Sequence, residues 1–413
     1  MRRGTMNPLD IVILGLSITS SWGNGHATTY RALVRALAAR GHRILFLERN
    51  TSWYEAARDL PRPPYCRTVI YRNLNELKKF AAPIRSADLV IVGSYVPNGI
   101  AVGQWVLDTA QGITAFYDID TPVTLAMLQQ RRAPYLVAEM IPRYDIYLSF
   151  TGGPILDHLE RHYGSPMART LYCAVDPELY QPRRQRRPRW LLGYMGTYCA
   201  DRQRVLDRLL LEPARRHRKA RMVVAGAQYP TAIKWPANVE RIEHVKPAAH
   251  SKFYGKQSFT LNLTRTSMIH AGYSPSVRLF EAAACGCPVI SDWWEGLDQF
   301  FKVDEEILVA DSPVRVAEYL FDLPADARRA ISRKARARIL AAHTAAHRAA
   351  ELESYLHQVR APAARRVSTP RYGPKRSKTR SVPRPTCFLD REAAADEGGG
   401  AARESSAAPA SSP

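Results

Sequence analysis

Short, continuously apolar runs alternate with helical patterns along most of the chain, and the alternation occurs in two separate series. In the first series, residues 11–18, 43–48, 88–94, 113–118 and 144–150 read as strands. Leu89-Val90-Ile91-Val92 shows no polar alternation, as expected of a strand covered on both faces of a parallel sheet. Residues 27–39 read as a helix, with Leu33, Val34, Leu37 and Ala38 on one face and Gly41 as its stop. The stretch from Pro182 to Pro188, with Arg183, Arg184, Arg186 and Arg187 inside it, lacks apolar periodicity and reads as a linker. The second series places strands at 190–196, 221–226, 238–244, 259–263, 288–291 and 307–310. Helical patterns cover 200–211, 274–284 and 313–321, and a single Ala/Arg-rich helix covers 325–359. Repeated strand–helix units predict an α/β chain of two doubly wound, Rossmann-like domains, 1–182 and 183–360. The carboxyl ends of their strands would open into the cleft between them, where such sheets take ligands.

The chain has 413 residues, 46% apolar and 23% charged, which is a globular composition. Residues 361–413 differ: Pro, Ser, Arg and a Gly-Gly-Gly run dominate, and they are expected to be a disordered basic tail. The net charge is +21, and the tail's 10 Lys/Arg against 5 Asp/Glu account for +5 of it. Such a balance favours anionic partners, with contact to an anionic membrane or polymer through the tail. It also supports a reading from another class, a basic nucleic-acid-binding protein. Six cysteines include no Cys-x-x-Cys pair, and no His lies at zinc-ligand spacing, so buried thiols in a reducing compartment and no metal are expected. Residues 11–18 are too short and too polar-ended for a signal peptide, and no run approaches the ~18 apolar residues of a membrane span. These features predict a cytoplasmic protein. Nothing in the sequence fixes its oligomeric state.

The first strand–helix connection reads Ser20-Ser21-Trp22-Gly23-Asn24-Gly25-His26-Ala27-Thr28-Thr29. Gly23, Asn24 and Gly25 let the backbone approach a ligand at a helix start. A dinucleotide fingerprint with Glu48 on a ribose is one candidate, and it would make the chain an NAD-type oxidoreductase. The third glycine is missing, however, with Thr28 in its place, and the first glycine lies about five residues beyond the strand. A wide loop with room for a sugar or a lipid-linked acceptor fits better. His26 opens the helix, where it either deprotonates an acceptor hydroxyl or acts as a structural cap.

The stretch from Ser274 to Asp292 carries the most chemistry. Ser274 or Ser276 reads as an N-cap with Pro275 near the first turn, Gly286 stops the helix, and Pro288-Val289-Ile290 begins a buried strand. The helix start offers N–H donors to a diphosphate. Glu281, about two turns along, suits the two vicinal hydroxyls of a ribose, and an inward Glu demands such partners.

This segment resembles the nucleotide-sugar-binding motif of retaining glycosyltransferases with the two-domain GT-B fold, and in particular the bacterial family related to spore maturation protein CgeB. Trp22 to Arg31, Tyr117-Asp118-Ile119-Asp120-Thr121-Pro122, Ser149 to Pro154, Val175-Asp176-Pro177 and Leu192 to Tyr198 fit the same resemblance, which spans roughly Pro8 to Leu356. It implies a hexosyl-type transferase with a nucleotide diphosphate sugar as donor and no cofactor or metal; a GT-B nucleotide-sugar epimerase is the alternative. Where many such enzymes carry a second Glu eight residues before the ribose-binding one, this chain has Tyr273.

Charge growing on the leaving diphosphate needs cations or N–H donors. Gly196 and Thr197 by backbone, Arg202, Arg278, and Ser274 with Ser276 are the donor-binding candidates. Asp118 and Asp120 should share a face by strand alternation. Either could serve as an acceptor-side base beside His26; an Asp-x-Asp metal pair and simple capping of the helix near Pro122 are the rival roles. Lys246 is a further candidate for the base or the phosphates. Trp293 and Trp294 read as packing.

Overall fold

Leu89–Gly93 is buried at every residue and sits at the centre of a seven-stranded parallel sheet. The computed structural model describes residues 7–183 and 188–360. Four of the linker residues and the tail expected to be disordered lie outside the described residues.

The first sheet contains β1 (Asp10–Gly15), β2 (Arg43–Arg49), β3 (Arg67–Tyr71), β4 (Leu89–Gly93), β5 (Ile113–Asp118), β6 (Ile146–Ser149) and β7 (Ala168–Thr170), in the order β3-β2-β1-β4-β5-β6-β7. The second contains β8 (Trp190–Met195), β9 (Met222–Ala225), β10 (Val239–Ile242), β11 (Gln257–Asn262), β12 (Val289–Ser291) and β13 (Leu308–Val309), in the order β10-β9-β8-β11-β12-β13. Every pairing is parallel. Each sheet reverses strand order once, between β1 and β4 and between β8 and β11. Loops that leave a sheet at such a reversal diverge to opposite faces and open a crevice. The architecture is therefore two doubly wound α/β sheets of the GT-B kind.

The chain crosses between the sheets twice, and the crossings bond to each other. The Val175 N–H donates to the His343 carbonyl at 3.3 Å, and the Ala345 N–H donates to the Val175 carbonyl at 2.9 Å. This crossing divides the long helix expected over 325–359 into Ala325–Ala342 and Ala345–Arg360. At the break, Thr344 pairs its backbone with Val175 and its hydroxyl with His347 Nδ1 at 2.7 Å. Thr and His compete for the backbone groups that an unbroken helix would use. The second helix then lies on the His26–Ala39 helix of the first sheet, although the sequence partition counted it with the second domain.

That docking has a polar anchor. His42 is buried, and its Nδ1 accepts from the Leu9 N–H at 3.1 Å, so Nε2 carries the proton and donates to Glu353 Oε1 at 2.9 Å. Arg40 forks onto the same carboxylate, and this bond holds Glu353 below its usual range. The contribution is complete above the ordinary glutamate range and is lost as pH falls through the lowered value. Glu353→Ala leaves the buried His42 donor unmet and should cost about 1–3 kcal/mol at neutral pH. Urea unfolding checks this; an unchanged midpoint would remove the anchor from the account.

Candidate active site

The loops that follow β1, β5, β8 and β11 converge on one cavity of about 320 Å³ between the two sheets. Gly23, Asn24, Gly25, His26 and Asp120 line it from the first domain. Gly196, Thr197, Arg202, Arg265, Ser274, Ser276, Arg278 and Glu281 line it from the second. The two walls touch directly. Thr197 Oγ1 donates to the Gly23 carbonyl at 3.4 Å, and the Thr151 and Ser274 hydroxyls pair at 2.8 Å.

On the second wall, Ser276 rather than Ser274 caps the Val277–Ala284 helix, accepting from the Arg278 N–H. The arginine and the glutamate of this helix both turn inward. Arg278 is 6% exposed; its Nε donates to the Met195 carbonyl, and Nη1 donates to Asn262 Oδ1 at 2.8 Å. Its guanidinium also lies over the Tyr194 ring at 4.8 Å. Glu281 is 3% exposed, which excludes a solvated Glu on a core helix. It accepts from the Tyr180 hydroxyl at 2.7 Å and the Tyr254 hydroxyl at 3.4 Å. Arg202 donates from Nη2 to the Thr197 carbonyl at 2.8 Å and holds that loop, while its buried Nε has no hydrogen-bond partner among the described residues. Gly196 lies so close to Tyr194 Oη and an Arg278 nitrogen, 2.6 and 2.9 Å from where a Cβ would stand, that a side chain would displace them.

On the first wall, Gly23 adopts φ +69, and Asn24 locks the loop by accepting from the Ala27 N–H at 3.0 Å. His26 is buried, edge-on to Tyr95 at 5.3 Å, and its enclosed Nδ1 has no hydrogen-bond partner among the described residues. Burial lowers it to about 4, against the opposing pull of Asp120, so the ring is neutral at physiological pH.

Asp118 and Asp120 do not share a face. β5 ends at Asp118 and Asp120 becomes the N-cap residue of the Thr121–Gln129 helix, so strand alternation stops between them. Asp120 reaches the cavity, accepts from the Tyr95 hydroxyl at 3.2 Å and stands 3.7 Å from Arg265 Nη1 across the interface. Asp118 lies behind it and accepts from the Tyr147 and Thr124 hydroxyls at 2.5 and 2.8 Å. Among the described residues, no three His, Cys, Asp or Glu side chains gather as a metal-binding group.

Other sequence candidates take structural places. Glu48 accepts from the Ile18 and Thr19 N–H groups at 2.7 and 3.0 Å and from the Thr19 hydroxyl at 2.6 Å, so it braces the loop rather than offering itself to a ribose. Lys246 begins the Pro247–Gly255 helix and does not line the cavity. Trp294 is buried and Trp293 exposed. Tyr273, at φ +48, packs against Gly153 and Gly296 and does not line the cavity. Sequence reasoning passed over Arg265, Tyr180 and His250. The first follows the β11 tip as Arg202 follows that of β8, a positional signal that was available.

Residues 202–354 match the family model described as glycosyl transferase-like. No curated protein matches the chain. Among solved structures, an alpha-glucosyltransferase in complex with UDP is 13% identical at a TM-score of 0.65, over 84% of this chain and 100% of that one. Sucrose-phosphate synthase from Thermosynechococcus elongatus is 15% identical at a TM-score of 0.59, over 85% and 99%. Anabaena HepE in complex with UDP-glucose is 11% identical at a TM-score of 0.61, over 84% and 99%. At these identities the structures speak for the fold. The match over residues 202–354 marks a glycosyl transferase-like domain within that fold.

Burial raises the Asp118 carboxyl to about 6 despite the hydroxyls that donate to it. A carboxyl raised on folding binds its proton more tightly in the folded chain, so stability falls as pH rises from about 4 to about 6. Asp118→Asn removes this slope. Relative to the wild type, the variant should gain on the order of 3 kcal/mol between pH 4 and pH 7. Urea unfolding at the two pH values reads it, and an unchanged difference would place the titration elsewhere.

Proposed function

We propose that the chain transfers a hexose-type unit from a nucleotide diphosphate sugar to an acceptor hydroxyl in the cleft. The observation that carries this reading is the division of labour across one cavity: cations, a capped helix start and a buried carboxylate face a neutral imidazole and Asp120. The diphosphate would lie against the start of the Val277–Ala284 helix, Arg202, Arg278 and the Gly196-Thr197 backbone, with Glu281 accepting from the ribose hydroxyls. These guanidiniums carry the charge that develops on the leaving diphosphate, so the reaction proceeds without a metal. His26, deprotonated by its burial, takes the acceptor proton, and Asp120 steadies the imidazolium that forms. UDP-glucose is the first donor to try, since neighbours of the same fold hold UDP or UDP-glucose. A cytoplasmic location and a relation to the CgeB group, both read from the sequence, accompany this proposal.

Calorimetry with UDP and UDP-glucose tests the donor side. Glu281→Ala should weaken binding at least about tenfold, the loss of one to two charge-assisted hydrogen bonds. Absence of binding at millimolar concentration would sink the reading. His26→Ala should leave UDP binding within about threefold and lower kcat by ~10²–10⁴; equal turnover in the variant would remove His26 from the chemistry.

A further inference from the structure

Behind Glu281 stands a group of side chains whose proton count does not close with neutral histidine and ionised carboxylate. His250 Nε2 lies 3.0 Å from the Val245 carbonyl, which can only accept, so Nε2 carries a proton. His250 Nδ1 lies 3.1 Å from the Tyr180 hydroxyl oxygen and 3.5 Å from Glu281 Oε2. The same Tyr180 oxygen lies 2.7 Å from Glu281 Oε1. A phenol has one proton. If Tyr180 gives it to Glu281, a bare Nδ1 faces oxygen lone pairs. If Tyr180 gives it to Nδ1, its own lone pair faces the carboxylate at 2.7 Å. Either way one close contact is repulsive, inside a region where His250, Tyr180, Tyr254 and Glu281 are all buried.

One additional proton satisfies every contact. We infer that His250 is a positioning residue that carries this proton, and that as an imidazolium it holds the Glu281 carboxylate, through Tyr180, in the orientation that receives the donor's ribose. This rests on the nucleotide-sugar reading of the same site. With the proton on Nδ1, His250 donates to Tyr180, Tyr180 donates to Glu281 Oε1, and Oε2 stays ionised to accept from a ligand hydroxyl. Deprotonating His250 reintroduces the repulsive contact and turns the carboxylate. Donor affinity is therefore complete while the imidazole is charged and is lost as pH rises past its deprotonation.

The groups around His250 come from three parts of the chain. Tyr180 comes from the crossover, with Cys285 near it, and Glu281 comes from the Val277–Ala284 helix. His244 stands beside it with Glu243, Lys246 and Asp59 in its own surroundings. Lys252 and Tyr254 share its helix.

UDP-glucose is the probe, because its diphosphate diester does not titrate in the range used. Calorimetry on the full chain should show Kd rising at least about tenfold between about pH 6 and about pH 8.5. His250→Gln should bind as weakly at the lower pH as the wild type does at the higher, with a flat profile. Nitrogen-15 spectra of the unaltered protein at about pH 6 should show both His250 ring nitrogens protonated. A neutral His250 ring at that pH would overturn the inference. Binding with a pH-independent Kd in the wild type overturns this inference alone. No binding at any pH overturns the donor reading and this inference with it.

Discussion

Arg278 and Glu281 stand one helical turn apart on the same buried face, and both have been taken almost wholly out of water. An unpaired ion at such depth costs several kcal/mol, so the surroundings of this helix are constrained to answer two opposite charges. The end of β8 answers with the Met195 carbonyl, and the end of β11 answers with Asn262. The crossover answers with Tyr180, and the Pro247–Gly255 helix with Tyr254 and His250. One pair of side chains thus ties two strand tips, a neighbouring helix and the connection between domains into a single arrangement.

The same constraint shapes the chemistry. Because those strand tips are fixed, Gly196 and Thr197 present backbone groups to the cavity while Arg202 holds their loop from behind. The opposite wall is neutral or acidic, with His26 stripped of its charge by burial and Asp120 drawn towards Arg265 across the interface. Cations thus line one wall of the cavity, and a neutral imidazole and a carboxylate line the other. The +21 charge of the chain is not what marks the site; the sign of a few buried groups is.

Much of the architecture was legible because continuous apolar runs admit few alternatives. Residues 113–118 and 313–321 are the elements observed, and most other strands differ by a few residues at their ends. The Ser274–Asp292 stretch was legible for the same reason: a cap, a helix, a glycine stop and a buried strand follow in order. What the sequence hid were places where periodicity ends. Strand alternation placed Asp118 and Asp120 together, yet the turn into a helix between them sends one to the core and the other to the cavity. An unbroken helical pattern concealed the crossing at Thr344, because the partner that interrupts it, Val175, lies far away in the chain. His250 and Tyr180 carried no local signal, since their importance comes from Glu281, which meets them only through the fold.

A crystal structure with UDP-glucose bound tests the central claim most directly. The account predicts the diphosphate at the start of the Val277–Ala284 helix, within reach of Arg202, and both ribose hydroxyls within hydrogen-bond distance of Glu281. A nucleotide seated instead on the Gly23–Gly25 loop, or with its ribose turned away from Glu281, would contradict it.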